Sequence, residues 1–155
     1  MPSLTARFFG FCLRNATPFH WLVWGGDLQT KNFPLRRWFL CPPPSKSMHR
    51  QLSVRSEEFQ GRTVWHIGPR ESQSKVRILY WHGGGFVFGP MSMHWKFMTA
   101  LAVDYGLSFI VPLYPLAPES SAVEINQFAL DFYSDLVSRS GTDHFVMAGD
   151  SAGGM

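Results

Sequence analysis

The chain has 155 residues, of which 45% are hydrophobic and 16% are charged. This composition is typical of one globular domain with its own core and excludes a disordered segment. The formal charge of +3 is spread along the chain, and only Arg36-Arg37 and His49-Arg50 form local clusters, which argues against a nucleic-acid-binding face. Two cysteines, Cys12 and Cys41, provide neither a disulfide framework nor the spacing of a metal site.

The N-terminal region is aromatic but has no membrane-spanning or secretory pattern. No run of about 18 uncharged apolar residues occurs, and residues 8–24 are interrupted by polar residues and lack a cleavage site for a signal peptide. We therefore expect a cytoplasmic or loosely membrane-associated protein. An alternative is that residues 1–70 form a membrane or protein docking module through their aromatic residues, which are Phe8, Phe9, Phe11, Trp21 and Trp24.

The first third of the chain has few regular patterns. Helical spacing of apolar residues over 4–15 predicts a helix. Residues 18–48 are rich in Trp, Pro and Gly, and three consecutive prolines at 42–44 forbid a helix there, so we expect a linker or the rim of a cap. This predicts a cap-like segment over residues 1–50 and the N-terminal part of an α/β domain over 51–155.

The α/β domain is predicted to begin with a hairpin. Leu52–Phe59 and Thr63–Ile67 are short, partly alternating segments of the kind that form strands. The residues from Glu57-Glu58 to Arg62 can hold the turn between them.

From residue 75 onward, strand and helix patterns alternate. Compact apolar runs at 76–80, 109–111 and 145–148 predict strands, and the spacing of apolar residues over 125–136 predicts an amphipathic helix that stops before Gly141. Another helix is predicted to have on one face Trp95, Met98, Leu101, Ala102 and Tyr105. This alternation predicts an α/β fold with a mostly parallel sheet, right-handed crossovers, and helices on both faces.

The last predicted strand leads into Gly149-Asp150-Ser151-Ala152-Gly153, which matches the pattern Gly-x-Ser-x-Gly. A serine on a tight strand-to-helix turn exposes its hydroxyl group, and side chains two residues away on either side would collide. Those positions must therefore be glycine. The motif predicts that Ser151 is a nucleophile.

A second glycine motif, His82-Gly83-Gly84-Gly85, follows the strand at residues 76–80. Three glycines allow backbone N–H groups to converge on a small anion, which in acyl transfer is the oxygen of the tetrahedral intermediate. A phosphate-binding loop is the alternative. It is disfavoured because neither the Lys-Ser/Thr pair of a P-loop nor a Gly-x-Gly-x-x-Gly pattern is present.

Three stretches together resemble a known family, and they are Tyr80–Phe86, Tyr114–Glu119 and Gly149–Gly154. They are similar to the corresponding motifs of the hormone-sensitive-lipase-like esterases, also described as the alpha/beta hydrolase fold-3 group. The resemblance covers about residues 75–155, roughly half of the chain. It implies the α/β-hydrolase fold and hydrolysis of small-molecule carboxylic esters, with no metal ion or organic cofactor and no nucleic-acid partner.

The resemblance also implies roles for individual residues. Ser151 looks like the nucleophile, and the backbone N–H groups of Gly84, Gly85 and Ala152 look like the donors of the oxyanion hole. His82 is expected to support the glycine loop rather than act as the base.

Two acidic residues near these motifs are given no catalytic role. Glu119 is expected to hold the loop that begins at Tyr114. Asp150 is a poor candidate for the triad acid, because its side chain is expected to point away from the turn.

In such hydrolases the triad follows the chain order Ser, Asp or Glu, then His. Only four residues follow Ser151, and every histidine precedes it. We therefore expect a fragment that lacks the triad acid and base, in which the last strand is an exposed apolar edge. The alternative is a catalytically inactive remnant or a ligand-binding relative of these enzymes.

Overall fold

The computed structural model describes residues 33–71, 76–140 and 144–154. The chain divides into two compact units, Met1–Arg36 and Arg37–Met155. The helix predicted over residues 4–15 lies outside the described residues. The proposed division of the chain at residue 50 remains a prediction.

Among the described residues, two short helices precede the sheet, α1 at Phe33–Leu40 and α2 at Lys46–Gln51. The three prolines between them are not helical, as predicted. No helix was predicted from the sequence at either place, and the interpretation of residues 18–48 as a linker or the rim of a cap remains a prediction. The physical reason for a helix at α2 is a cap and an anchor: the Ser45 hydroxyl accepts a hydrogen bond from the Met48 N–H group at 3.2 Å, and the Met48 side chain is buried in the core.

The predicted hairpin is present. Strand β1 spans Ser53–Phe59 and pairs antiparallel with β2 at Arg62–Gly68. The turn is tighter than predicted, because only Gln60 and Gly61 lie outside the strands. Both have positive φ, 48° and 71°, which is the backbone conformation of the favoured two-residue hairpin turn.

Three further strands complete a five-stranded sheet of order β1-β2-β4-β3-β5. They are β3 at Val76–Trp81, β4 at Phe109–Pro112 and β5 at His144–Gly149. Strand β3 is parallel to both β4 and β5, whereas β2 is antiparallel to β4. The predicted α/β class and parallel strands are confirmed, and the hairpin makes the sheet mixed.

Helices cover opposite faces of this sheet, as predicted. Helix α3 spans Ser92–Tyr105 and helix α4 spans Ala122–Arg139. The buried residues of α3 pack in one core cluster with Tyr80 and Phe109, and those of α4 pack in another with Leu79 and Ile110. Since neighbouring residues of a strand point to opposite faces, the two helices lie on opposite sides.

Two details of these elements differ from or extend the prediction. Tyr105 does not belong to the buried face of α3, because it is 73% exposed at the last position before Gly106 ends the helix with φ of 69°. Strand β5 lies at the edge of the sheet and leaves the side chains of Val146 and Met147 exposed.

Candidate active site

Both glycine motifs lie at the carboxyl ends of neighbouring strands of the sheet. The His82 loop follows the end of β3, and the Ser151 turn follows the end of β5. Strands β3 and β5 are parallel neighbours, with Trp81 paired to Gly149. The carboxyl ends of adjacent parallel strands therefore bring the two loops side by side, which is where open α/β sheets bind ligands.

The turn after β5 is as tight as its sequence pattern requires. Ser151 has a left-handed φ of 49° and begins a 3₁₀ turn at Ser151–Gly154. A Cβ atom on Gly149 would lie 2.1 Å from the carbonyl oxygen of Gly153, and one on Gly153 would lie 2.0 Å from that of Trp81. Ser151 itself is exposed. A serine held in a sparsely populated backbone conformation is typical of a functional turn.

The glycine loop is a compact turn that closes on itself. The N–H groups of Val87 and Phe88 both donate to the Gly84 carbonyl oxygen, at 3.1 and 3.0 Å. Gly84 and Gly85 have φ of 129° and 61°, which glycine adopts without strain. Within the described part of the chain, the N–H groups of Gly84, Gly85 and Ala152 donate to no loop or turn carbonyl.

His82 is buried behind this loop. Its Nδ1 lies 2.9 Å from the Gly83 carbonyl oxygen, so Nδ1 carries the proton and donates. The ring stacks on Tyr114 at a centroid distance of 4.3 Å, and the Tyr114 hydroxyl donates to the His82 carbonyl oxygen at 2.6 Å. Burial lowers the pKa of His82 to about 4. These contacts are those of a neutral side chain that supports a loop.

Asp150 makes contacts that the sequence did not suggest. Its Oδ1 accepts hydrogen bonds from the Tyr80 hydroxyl at 2.7 Å and from the Gly83 N–H group at 2.8 Å, and its Oδ2 lies 3.2 Å from Nε2 of His94. Burial raises the pKa of this carboxyl group, but the bonds from Tyr80 and Gly83 outweigh burial and hold the pKa below its ordinary value. The side chain leaves the turn, as expected, and reaches across to the glycine loop.

His94 has no nitrogen left for Ser151. Its Nδ1 accepts a hydrogen bond from the Met91 N–H group at 2.9 Å, so the proton of the neutral ring is on Nε2 and is donated to Asp150. His20 lies outside the described residues. Among the described histidines, which are His49, His66, His82, His94 and His144, none forms a hydrogen bond with the Ser151 hydroxyl.

Arg37 joins the glycine loop to the loop that follows β4. Its Nε donates to the Val87 carbonyl oxygen at 2.7 Å, and its Nη1 lies 2.9 Å from both carboxylate oxygens of Glu119. Its Nη2 donates to the Ala117 carbonyl oxygen. Glu119 was expected to hold this loop, and the structure gives it Arg37 as a partner. The planar guanidinium group suits this role because it binds a carboxylate and carbonyl groups at once.

Metal sites and membrane-spanning helices are both missing from the described part of the chain. Within residues 33–71, 76–140 and 144–154, no group of three or more His, Cys, Asp or Glu side chains could hold a metal ion. In the same ranges, no helix has the length and apolar character needed to cross a membrane.

Comparison with known proteins decides the family. A family model with the description alpha/beta hydrolase fold matches residues 78–155, which is half of the chain. The chain belongs to the alpha/beta hydrolase fold family. The resemblance to hormone-sensitive-lipase-like esterases predicted from the sequence is thereby confirmed, as is the fold class.

Two curated relatives of this alpha/beta hydrolase are ester hydrolases by name. An acetyl esterase of Salmonella paratyphi A is 34% identical over 143 residues, which are 84% of this chain and 42% of that protein. A triacylglycerol lipase of Mycobacterium tuberculosis is 28% identical over 130 residues, which are 82% of this chain and 30% of that protein. The chain thus spans less than half the length of these relatives.

A solved structure agrees with this assignment of the fold. The crystal structure of an esterase from the bacterial hormone-sensitive lipase family aligns with a TM-score of 0.58 at 22% sequence identity. The alignment covers 78% of this chain and 39% of the other. At this identity the likeness shows the fold alone.

Proposed function

We propose that this chain supplies the nucleophile and the oxyanion hole of a carboxylic ester hydrolase. The observation that carries the proposal is the adjacency of two loops at the ends of β3 and β5. One presents the exposed Ser151 at a left-handed φ, and the other presents Gly84 and Gly85 N–H groups without acceptors among the described residues.

The reaction would proceed in two steps through a covalent intermediate. The Ser151 oxygen attacks the ester carbonyl carbon, and the carbonyl oxygen becomes an anion bound by the N–H groups of Gly84, Gly85 and Ala152. Collapse of this intermediate breaks the bond to the alcohol and leaves an acyl group on Ser151. Water then attacks the acyl carbon and releases the acid. Oxyanion donors are each worth about 10²–10³ in rate in enzymes of this kind.

The serine also needs a base, since its hydroxyl group is a weak nucleophile near neutral pH. In hydrolases of this kind the Asp or Glu and the His of the triad follow the serine along the chain, and we propose the same order here. Both nitrogens of the nearby His94 are in use, which supports a base from elsewhere.

The proposed substrates are small carboxylic esters of short to medium acyl length. The names of two relatives, an acetyl esterase and a triacylglycerol lipase, support carboxylic esters as the substrate class. The acyl length is proposed from the family resemblance alone.

A second candidate function is non-catalytic binding of an apolar ligand. The observation in its favour is that no described histidine reaches the Ser151 hydroxyl.

The test uses the protein produced from its complete reading frame and p-nitrophenyl esters of two to eight acyl carbons. Ser151→Ala should lower kcat by about 10⁴-fold or more, and Ser134→Ala, an exposed serine of α4, should leave kcat unchanged. Turnover that survives Ser151→Ala would overturn the proposal. Binding of an ester without any turnover would favour the second candidate.

A further inference from the structure

We propose that Asp150 is a positioning residue that holds the glycine loop in register with the nucleophile, and that it acts through a specific donor–acceptor pairing with His94. This inference rests on the proposed function, because it concerns the placement of the oxyanion donors.

The first support for this role is the contact between the Asp150 carboxylate and the backbone of the glycine loop. The residue lies between the end of β5 and Ser151, yet its Oδ1 accepts a hydrogen bond from the Gly83 N–H group at 2.8 Å. Gly83 has no room for a side chain, since a Cβ atom there would lie 2.2 Å from Oδ2 of Asp150. The carboxylate therefore packs directly on the loop backbone, one residue before the proposed donor Gly84.

The second support is that each neighbour of the carboxylate is itself fixed to a different element. The Tyr80 hydroxyl, 2.7 Å from Oδ1, comes from β3. His94, whose Nε2 is 3.2 Å from Oδ2, lies in the first turn of α3 and is 6% exposed. Asp150 thus connects the nucleophile turn to β3, to the glycine loop and to α3 at once.

The third support is the direction of each hydrogen bond. All three neighbours donate, because Nδ1 of His94 already accepts from Met91 and leaves the proton on Nε2. An ionised carboxylate accepts on both oxygens and satisfies this set. An asparagine would not: whichever way its amide is turned, its NH₂ group faces either the Gly83 N–H group or the His94 N–H group.

These features predict an effect on the chemical step. A displacement of about 1 Å in a catalytic group can cost about 10²-fold in rate, and the two residues after Gly83 carry proposed oxyanion donors. Asp150 would not be the triad acid, since the histidine that it contacts has no bond to Ser151.

The test compares single and paired substitutions in the protein from its complete reading frame. Asp150→Asn should lower kcat for p-nitrophenyl acetate about 10²-fold and change KM less than about threefold. His94→Gln alone can still donate to the carboxylate and should cost less than about fivefold. In the double variant the glutamine introduced at position 94 can accept from the amide of the new asparagine, so Asp150→Asn with His94→Gln should recover at least about tenfold of the lost kcat.

Recovery of kcat in the double variant would distinguish a positioning role of Asp150 from an effect of lost charge or of lost stability. His94→Gln would reverse neither of the last two. A double variant no faster than Asp150→Asn would overturn the proposal, as would an unchanged kcat in Asp150→Asn.

A second readout keeps the inference testable apart from the proposed function. If the unmodified protein shows no turnover that depends on Ser151, the proposed function has failed. Hydrogen exchange at the bonded loop amides, those of Gly83, Val87 and Phe88, then decides the positioning role alone. Asp150→Asn should speed exchange at these amides about tenfold and leave the α4 amides unchanged, since the contact is local. Unchanged exchange in the loop would overturn the positioning role.

Discussion

The closeness of Gly153 to β3 makes Gly153→Ala a sharp test of the turn that carries Ser151. A Cβ atom at Gly153 would lie 2.0 Å from the Trp81 carbonyl oxygen and 2.9 Å from that of His82. Both obstacles are backbone atoms, so no side chain can rotate away. Reaching an ordinary contact distance of about 3.4 Å requires the turn and the end of β3 to separate by about 1.4 Å.

We expect a measurable loss of stability from this separation. Overpacking in a well-packed region costs about 1–3 kcal/mol. For a chain of this size each kcal/mol lowers the melting temperature by about 2–4 °C, so Gly153→Ala should lower it by roughly 2–12 °C. Thermal unfolding followed by circular dichroism measures this effect without any need for substrate.

Gly154→Ala is the matched control. A Cβ atom there would lie 3.6 Å from its nearest neighbour, the Gly149 carbonyl oxygen, which is an ordinary contact. This variant should leave the melting temperature unchanged or raise it slightly, because alanine restricts the unfolded chain. Equal losses in the two variants, or no loss in Gly153→Ala, would refute the close approach of the turn to β3.

Two further predictions concern the core and the buried histidine. Phe132→Ala removes a fully buried ring from the cluster beneath α4 and should cost about 3–5 kcal/mol in urea unfolding, whereas Leu130→Ala, at a side chain 63% exposed, should cost less than about 1 kcal/mol; similar costs would contradict the placement of α4. Because the pKa of His82 is about 4 in the folded chain and about 6.5 in the unfolded chain, the unfolded chain binds the extra proton between these values. The contribution of neutral His82 to the free energy of unfolding is therefore complete above pH 6.5. It is lost as the pH falls to 4, by about 3 kcal/mol in total. His82→Asn should flatten this part of the curve of unfolding free energy against pH, and an unchanged slope would show that the ring is not buried in its neutral form.

The two long helices could be predicted because their apolar residues repeat with a helical period, and the parallel strands because each is a compact apolar run. The helix at 122–139 has, in addition, a capping box in which Ser121 and Glu124 exchange hydrogen bonds. Tyr105 was misplaced because spacing alone does not show that a helix has reached its end and left the core. Helices α1 and α2 were missed because the prolines between them obscure two short helices in a region without clear periodicity.

The two loop motifs of the candidate site could be predicted from the sequence, but the hydrogen bonds that join them to other elements could not. Gly149 and Gly153 indicate a tight turn, and the glycine loop indicates free N–H groups, since both depend on local backbone conformation. The partners of Asp150 and Arg37 lie 50–82 residues away along the chain. Only the tertiary fold, above all the pairing of β3 with β5, brings such residues together, and no local pattern in the sequence encodes that proximity.

The central claim is that Ser151 is the reactive nucleophile, and adduct mapping tests it most directly. The protein from the complete reading frame is incubated with a fluorophosphonate, which reacts with activated serines, and the modified peptide is identified by mass spectrometry. We expect one adduct, on Ser151, that disappears in Ser151→Ala and persists in Ser134→Ala. An adduct on another serine, or no adduct in a protein that hydrolyses esters, would contradict the claim.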